Sequence, residues 1–193
     1  MSAAPGGKTT QIAQYMDNEG VIVALDPNNM RLMSLRNNLE RLGVKNTIIY
    51  QMDAKFVNDL GMKFDKILLD APCSGNFAVD NEWLDKRKLE DIKNASKTQK
   101  QLLAAAVDVL KDKGELIYST CSLEPEEDEF VVDWALKEFP VLKIQEIDIP
   151  LGDDGLTEAF GVKLNQNVKY AKRFWPNKTK TQGFFIAKFR KEQ

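Results

Sequence analysis

Histidine is absent from all 193 residues of this chain. Its absence excludes Ser-His-Asp and Cys-His nucleophile activation and every histidine-ligated metal site, so no metal is expected. Proton transfer must therefore use Asp, Glu, Lys, Tyr, Cys or water. No apolar run approaches the length of a membrane span, and the N-terminus lacks a basic stretch followed by an apolar one. A cytoplasmic setting without a membrane partner is the expectation. There is no internal repeat, low-complexity tract or Gly- and Ser-rich linker. Cysteine is nearly absent too, being confined to Cys73 and Cys121. In a reducing compartment such residues are expected as free thiols rather than as a disulfide.

What is present suits one globular domain with a real core, at 43% hydrophobic and 29% charged residues. The net charge of −2 conceals an asymmetry. Asp112 to Glu158 holds 14 acidic and 3 basic residues, whereas Ala159 to Gln193 holds 9 basic and 1 acidic. The basic tail interleaves aromatics, as Lys169-Tyr170, Lys172-Arg173-Phe174-Trp175, Lys178 and Lys180. That pattern suits phosphate contacts and base stacking, although a solvated surface with a few core aromatics gives the same composition.

Helix and strand signals alternate. Helices are predicted over Lys8 to Met16, Asn28 to Leu42, Ser96 to Leu110, and from Pro125 onward. Leu32, Leu35, Leu39 and Leu42 form an apolar stripe that stops at Gly43. Pro125 suits a first helical position, with Glu126, Glu127 and Asp128 at the positive end. Strands are predicted over Val21 to Leu25, Thr47 to Gln51, Lys66 to Leu69, Glu115 to Ser119, Leu142 to Gln145 and Gly183 to Phe189, with an irregular stretch over Pro150 to Asn177. This order predicts an α/β fold, doubly wound and largely parallel.

In such a sheet the residues just past the strand ends line the ligand crevice. Ala3-Ala4-Pro5-Gly6-Gly7-Lys8 leads into the first helix, where small residues admit a ligand and free N–H groups face an anion. A P-loop reading needs glycine where Ser2 stands, and the dinucleotide pattern G-x-G-x-x-G is absent. A third reading is S-adenosyl-L-methionine (S-adenosylmethionine), and it predicts acids at the next strand ends. Asp26 lies 20 residues after Gly6 and suits ribose hydroxyls, while Asp53 suits the adenine amino group. Arg31, early in the next helix, and Asp70 complete the cofactor candidates.

Each cysteine follows an apolar run ending in a short motif, Asp70-Ala71-Pro72-Cys73-Ser74-Gly75 and Tyr118-Ser119-Thr120-Cys121-Ser122. With Ala4-Pro5-Gly6-Gly7-Lys8-Thr9, Pro125-Glu126-Glu127 and Arg173-Phe174-Trp175-Pro176, they resemble the NOL1/NOP2/Sun (RsmB-like) family of RNA cytosine-5 methyltransferases over nearly the whole chain. The resemblance implies a class I S-adenosylmethionine-dependent methyltransferase with a Rossmann-like sheet. It implies that Cys121 is the nucleophile, that Cys73 assists adduct breakdown, and that Asp70 binds the cytosine N3 and N4 edge. Transfer RNA is the first expected substrate, with tRNA processing as the role, and ribosomal RNA is the close alternative. Lys86, Arg87 and Lys88, beside Glu82-Trp83, and Lys172 and Arg173 in the tail are the candidate RNA contacts.

Two departures accompany the resemblance. Asn177 stands where members commonly carry histidine. The chain also begins inside the cofactor motif, so residues 1–193 are expected to be a catalytic domain lacking its first strand and an upstream RNA-binding region. A gap in mid-sheet would leave two strand edges unpaired. Rival readings are a P-loop-like nucleotide hydrolase built on Gly6-Gly7-Lys8-Thr9 and Asp70, and an inactive RNA-binding fragment.

Overall fold

The computed structural model describes residues 1–192. Two compact units are present, Met1–Leu60 and the residues from Gly61 onward, each of α/β construction. Among the described residues, no helix is long and apolar enough to cross a membrane.

The first unit comprises α1 (Gly7–Tyr15), β1 (Ile22–Asp26), α2 (Asn29–Arg41), β2 (Thr47–Gln51) and a 3-10 helix, Ala54–Leu60. β1 and β2 pair in parallel, from Ile22 opposite Thr47 to Asp26 opposite Gln51. The Asn28 side chain starts α2 by accepting from the Arg31 N–H at 3.1 Å. Leu32, Leu35 and Leu39 bury against Ala4 and Ala24. Leu42, expected on the same stripe, is 53% exposed because the helix ends at Arg41 and Gly43 turns the chain at a φ of 65°.

The second unit begins with β3 (Phe64–Asp70), α3 (Trp83–Lys86), α4 (Leu89–Val109), β4 (Leu110–Thr120), α5 (Glu129–Glu138) and β5 (Leu142–Gln145). Short strands β6 (Asp153–Asp154), β7 (Glu158–Ala159), β8 (Val162–Lys163) and β9 (Lys172–Phe174) lie within the stretch expected to be irregular. α6 (Pro176–Thr179) and β10 (Phe184–Lys191) follow. β3 runs parallel to β4, which meets β10 in antiparallel register. β10 also pairs with β5 and β9, and β9 pairs with β6. The core holds Leu69, Leu103, Leu116, Tyr118, Val131, Phe185 and Phe189, all with no exposed surface. β3 ends its sheet, and β1 has β2 as its only strand partner among the described residues.

The chain after Pro125 departs from the expected helix start. α5 begins at Glu129, and Pro125 to Asp128 form a turn closed by the Asp128 N–H on the Pro125 carbonyl at 3.2 Å. Glu127, Asp128 and Glu129 are all fully buried, so the turn delivers three carboxylates inward instead of lining a solvated helix end.

Candidate active site

Asp70 lies opposite Ser119 in the parallel β3–β4 pair, and the Ser119 hydroxyl donates to Asp70 Oδ1 at 2.9 Å. The Ala71 N–H continues the ladder onto the Ser119 carbonyl at 2.8 Å. Past these positions the strands diverge into Pro72-Cys73 and Thr120-Cys121. Both cysteines therefore emerge from the C-terminal ends of neighbouring parallel strands, where ligands bind in open α/β sheets. Both are half-buried. Their sulfurs face each other, with Cα atoms 6.5 Å apart. That separation lies within disulfide range, and the adjacent strands bring the sulfurs to one place.

One carboxylate holds both cysteine loops. Glu127 accepts from the Ser74 N–H at 3.0 Å and from the Ser74 hydroxyl. It also accepts from the Ser122 hydroxyl at 3.0 Å and from Gln99 Nε2 at 2.8 Å. Ser74 follows Cys73 and Ser122 follows Cys121, so one side chain fixes the backbone beside each sulfur. Gln99 also donates to the Pro72 carbonyl at 3.0 Å. Asn76 Nδ2 ties the loops again by donating to the Cys121 carbonyl at 2.6 Å. The Tyr118 hydroxyl donates to the Glu127 carbonyl, and burial beside three carboxylates pushes its pKa well above the usual phenol range.

Arg173 is corrected from an RNA contact to a buried anchor. It has no exposed surface. Its Nη1 donates to the Leu123 carbonyl at 2.7 Å, its Nε to Glu129 at 2.9 Å, and its Nη2 to Asp128 at 3.1 Å. Burial alone would lower the guanidinium pKa, but the Glu129 and Asp128 carboxylates raise it. Burial drives the Asp128 carboxyl well above its usual range against the pull of Arg173. Trp83 is likewise no exposed RNA platform: it is 7% exposed, and its indole N–H donates to the Ser74 carbonyl at 2.8 Å. Lys172 is mostly buried and paired with Asp154 at 2.8 Å. Lys86, Arg87 and Lys88 remain exposed, with Lys86 2.6 Å from Glu82.

In the first unit the glycine loop is built around Asp26. This carboxylate has no exposed surface and accepts from the Ala4 N–H at 3.3 Å and the Asn28 N–H at 3.0 Å. Each oxygen thus accepts one backbone N–H, and the carboxylate supports the loop. Arg31 lies 3.5 Å from Asp26 and donates to the Ala4 carbonyl, so it braces the same loop. Asp53 is half-buried and paired with Lys55 at 3.0 Å. Pro5 and Lys8 are exposed, Ala3 is half-buried, and Gly6 is buried with a φ of 109°. A Cβ on Gly6 would approach Leu35 Cδ1 to 2.6 Å, whereas one on Gly7 would meet nothing within 4 Å. The open backbone at Gly7, at the start of α1, fits an anionic cofactor group. Gly6→Ala is expected to cost about 1–3 kcal/mol through backbone strain. It should lower both the melting temperature and cofactor affinity by calorimetry, and unchanged values would refute the packing argument.

The 16S rRNA methyltransferase RsmB/F family matches residues 1–190. The chain belongs to that family. This RsmB/F chain is 42% identical over 191 residues to a tRNA (cytosine(72)-C(5))-methyltransferase of Pyrococcus horikoshii, covering 99% of itself and 46% of the relative. It is 42% identical over 197 residues to a mouse 28S rRNA (cytosine-C(5))-methyltransferase, covering 99% of itself and 25% of the relative. The chain thus spans about half and a quarter of the lengths of these two relatives. The crystal structure of NSun6 from P. horikoshii with SFG superposes with a TM-score of 0.86 at 42% identity, over 100% of this chain and 47% of that one. The Rossmann-like class I methyltransferase fold of the RsmB/F chain agrees with the α/β expectation.

Sequence reasoning missed Glu127, Ser74, Ser122, Gln99 and Asn76 as parts of the RsmB/F site. The available signal was adjacency: a serine follows each cysteine, and Pro125-Glu126-Glu127 recurs among the resembling motifs.

Proposed function

We propose that this chain is the catalytic part of an S-adenosylmethionine-dependent RNA cytosine-5 methyltransferase that acts on tRNA. The observation that carries the reading is the convergence of Cys73 and Cys121 beside Asp70 at the ends of β3 and β4. When bound, S-adenosylmethionine supplies an electrophilic methyl group on a sulfonium. The α1 N-terminus, with Gly6 and Gly7, is the part of the chain suited to its carboxylate. SFG, an analogue of S-adenosylmethionine, in a structural neighbour supports the identity of the cofactor.

In the proposed reaction the Cys121 thiolate adds to C6 of cytosine, and the displaced electron pair makes C5 nucleophilic. C5 takes the methyl carbon, whose bond to the sulfonium breaks with its electron pair staying on sulfur as a neutral thioether, and the C5 proton then leaves to a base. The freed C–H electrons restore the C5–C6 double bond and expel Cys121 as thiolate. Covalent addition divides one difficult step into easier ones. Asp70, held by Ser119, faces the N3 and N4 edge, and Cys73 assists release. The open edges of β1 and β3, each in its own sheet, support reading residues 1–193 as a catalytic domain that takes up further strand pairing.

A second substrate reading, ribosomal RNA, is favoured by the equal identity to the mouse 28S rRNA enzyme. Bisulfite sequencing of tRNA and rRNA after incubation with reduced protein and cofactor tests both. Protected cytosines in tRNA are expected. Protection only in rRNA would shift the substrate, and none in either would overturn the reading.

The nucleophile must be a thiolate, so a disulfide between Cys73 and Cys121, which their Cα separation allows, would be an inactive form. Oxidised protein is expected to be inert, and dithiothreitol should restore methylation as two thiols become titratable. Methylation by protein whose intact disulfide is verified by mass spectrometry would sink the nucleophile assignment.

A further inference from the structure

On the second unit, a groove of about 710 Å3 runs between α4 and α5 and carries both charge and aromatic surface. Lys93, Lys97 and Lys100 line it from α4, at spacings of four and three that put them on one helix face. Phe130 and Trp134 line it from α5, and Phe160 reaches in from the β7–β8 hairpin. These residues take no part in the proposed chemistry of the cysteines.

Phe160 is the most unusual of them. It is 71% exposed, and its φ of 52° lies in the left-handed region that bulky residues rarely enter. Its ring lies parallel to that of Phe130, at an interplanar angle of 2° and a centroid separation of 6.4 Å. The two-residue hairpin loop Phe160-Gly161, with positive φ at both positions, holds the ring out toward solvent. Lys100 Nζ lies 5.8 Å from the Trp134 ring centroid, and partial burial lowers its pKa against the opposing pull of Asp133. Among the described lining residues, Glu126 is the single acid beside three lysines. The lining thus carries a net positive charge, three lysines against one acid.

The structure assigns this groove, we infer, to a single-stranded segment of the RNA substrate, with phosphates on Lys93 and Lys97 and a base stacked on the Phe160 and Phe130 rings. The occupant follows from charge complementarity joined to stacking surface, the combination that holds single strands without reading their sequence. An acidic partner would use the lysines but not the exposed ring; an apolar one would use the ring but not the lysines. The groove is also tied to the cysteine loops. The Ser96 hydroxyl on α4 donates to the Glu126 carbonyl at 2.6 Å, and the next residue is the Glu127 clamp. The assignment rests on the reading of RNA as substrate.

The test uses two surface variants, Phe160→Ala and the pair Lys93→Glu with Lys97→Glu, checked for folding by thermal melts. Binding of a tRNA transcript is measured by fluorescence anisotropy across a salt series, separately from methylation. Phe160→Ala should weaken RNA binding roughly tenfold. The lysine pair should reduce the salt slope by about 2. KM for RNA should rise with kcat and cofactor affinity unchanged. Folded variants with wild-type RNA affinity and salt slope would overturn the groove. If the wild-type protein binds RNA through this groove yet methylates nothing, the groove stands and the proposed activity falls. If it methylates RNA with a KM indifferent to these variants, the activity stands and the groove falls.

Discussion

Cys121→Ala is expected to abolish methylation, by at least about 10³-fold, because removing a covalent nucleophile closes the low-barrier route. Cys73→Ala is expected to behave differently and to accumulate a protein–RNA adduct that survives denaturing gels. The contrast follows from the order of events. Without Cys121 no C6–sulfur bond forms, so nothing can be trapped. Without Cys73 the bond forms but its breakdown is slowed. Both side chains are small and half-buried, so the two variants should fold and bind RNA like the parent. Each also prevents a disulfide between the two positions, so any effect of oxidation is common to both variants and separable from the divergent effect on the adduct. Equal loss of activity with no adduct in either variant would refute the division of labour.

The second large effect is expected at Glu127. Its carboxylate accepts from Ser74 twice, from Ser122 and from Gln99, all within a fully buried setting. Glu127→Ala leaves those donors without an acceptor. Buried unsatisfied groups cost about 1–3 kcal/mol each and do not add simply, so a total near 3–5 kcal/mol is expected. For a chain of this size that corresponds to a fall in melting temperature of roughly 6–20 °C. Glu127→Gln isolates the positioning role: its amide N–H2 would face donors, shifting Ser74 and Ser122 with less loss of stability. We expect Glu127→Gln to melt closer to the parent than Glu127→Ala while still forming adduct slowly. A Gln variant with parental kcat would show that the loops hold their geometry without this carboxylate.

Where apolar periodicity was clean, the sequence was readable to the residue. The strands Thr47–Gln51 and Leu142–Gln145 have the expected bounds. α4 was read from Ser96, yet it starts at Leu89. Of the seven residues before Ser96 only Ile92 is buried, while Leu89 is 70% exposed. The apolar stripe is therefore invisible there. The cysteines were legible because each ends a strand-like run. Glu127 was not, because acids after a proline look like helix-terminal charge. Arg173 sits among lysines and aromatics and so resembles an RNA-binding tail; its acidic partners are 44 and 45 positions away. Asp26 was legible as a strand-end acid, but nothing in the sequence showed that it also accepts the Ala4 and Asn28 N–H groups.

The guanidinium of Arg173 reaches back across the sheet to the carbonyl of Leu123, two residues past Cys121. The reactive loop is thereby tethered to a strand laid down some fifty residues later in the chain. A nascent polypeptide that has not yet emitted β9 would carry every sulfur and every glycine of the site, yet its nucleophile would hang on a slack loop. Competence thus arrives late in synthesis, with the last anchor rather than with the last reactive atom.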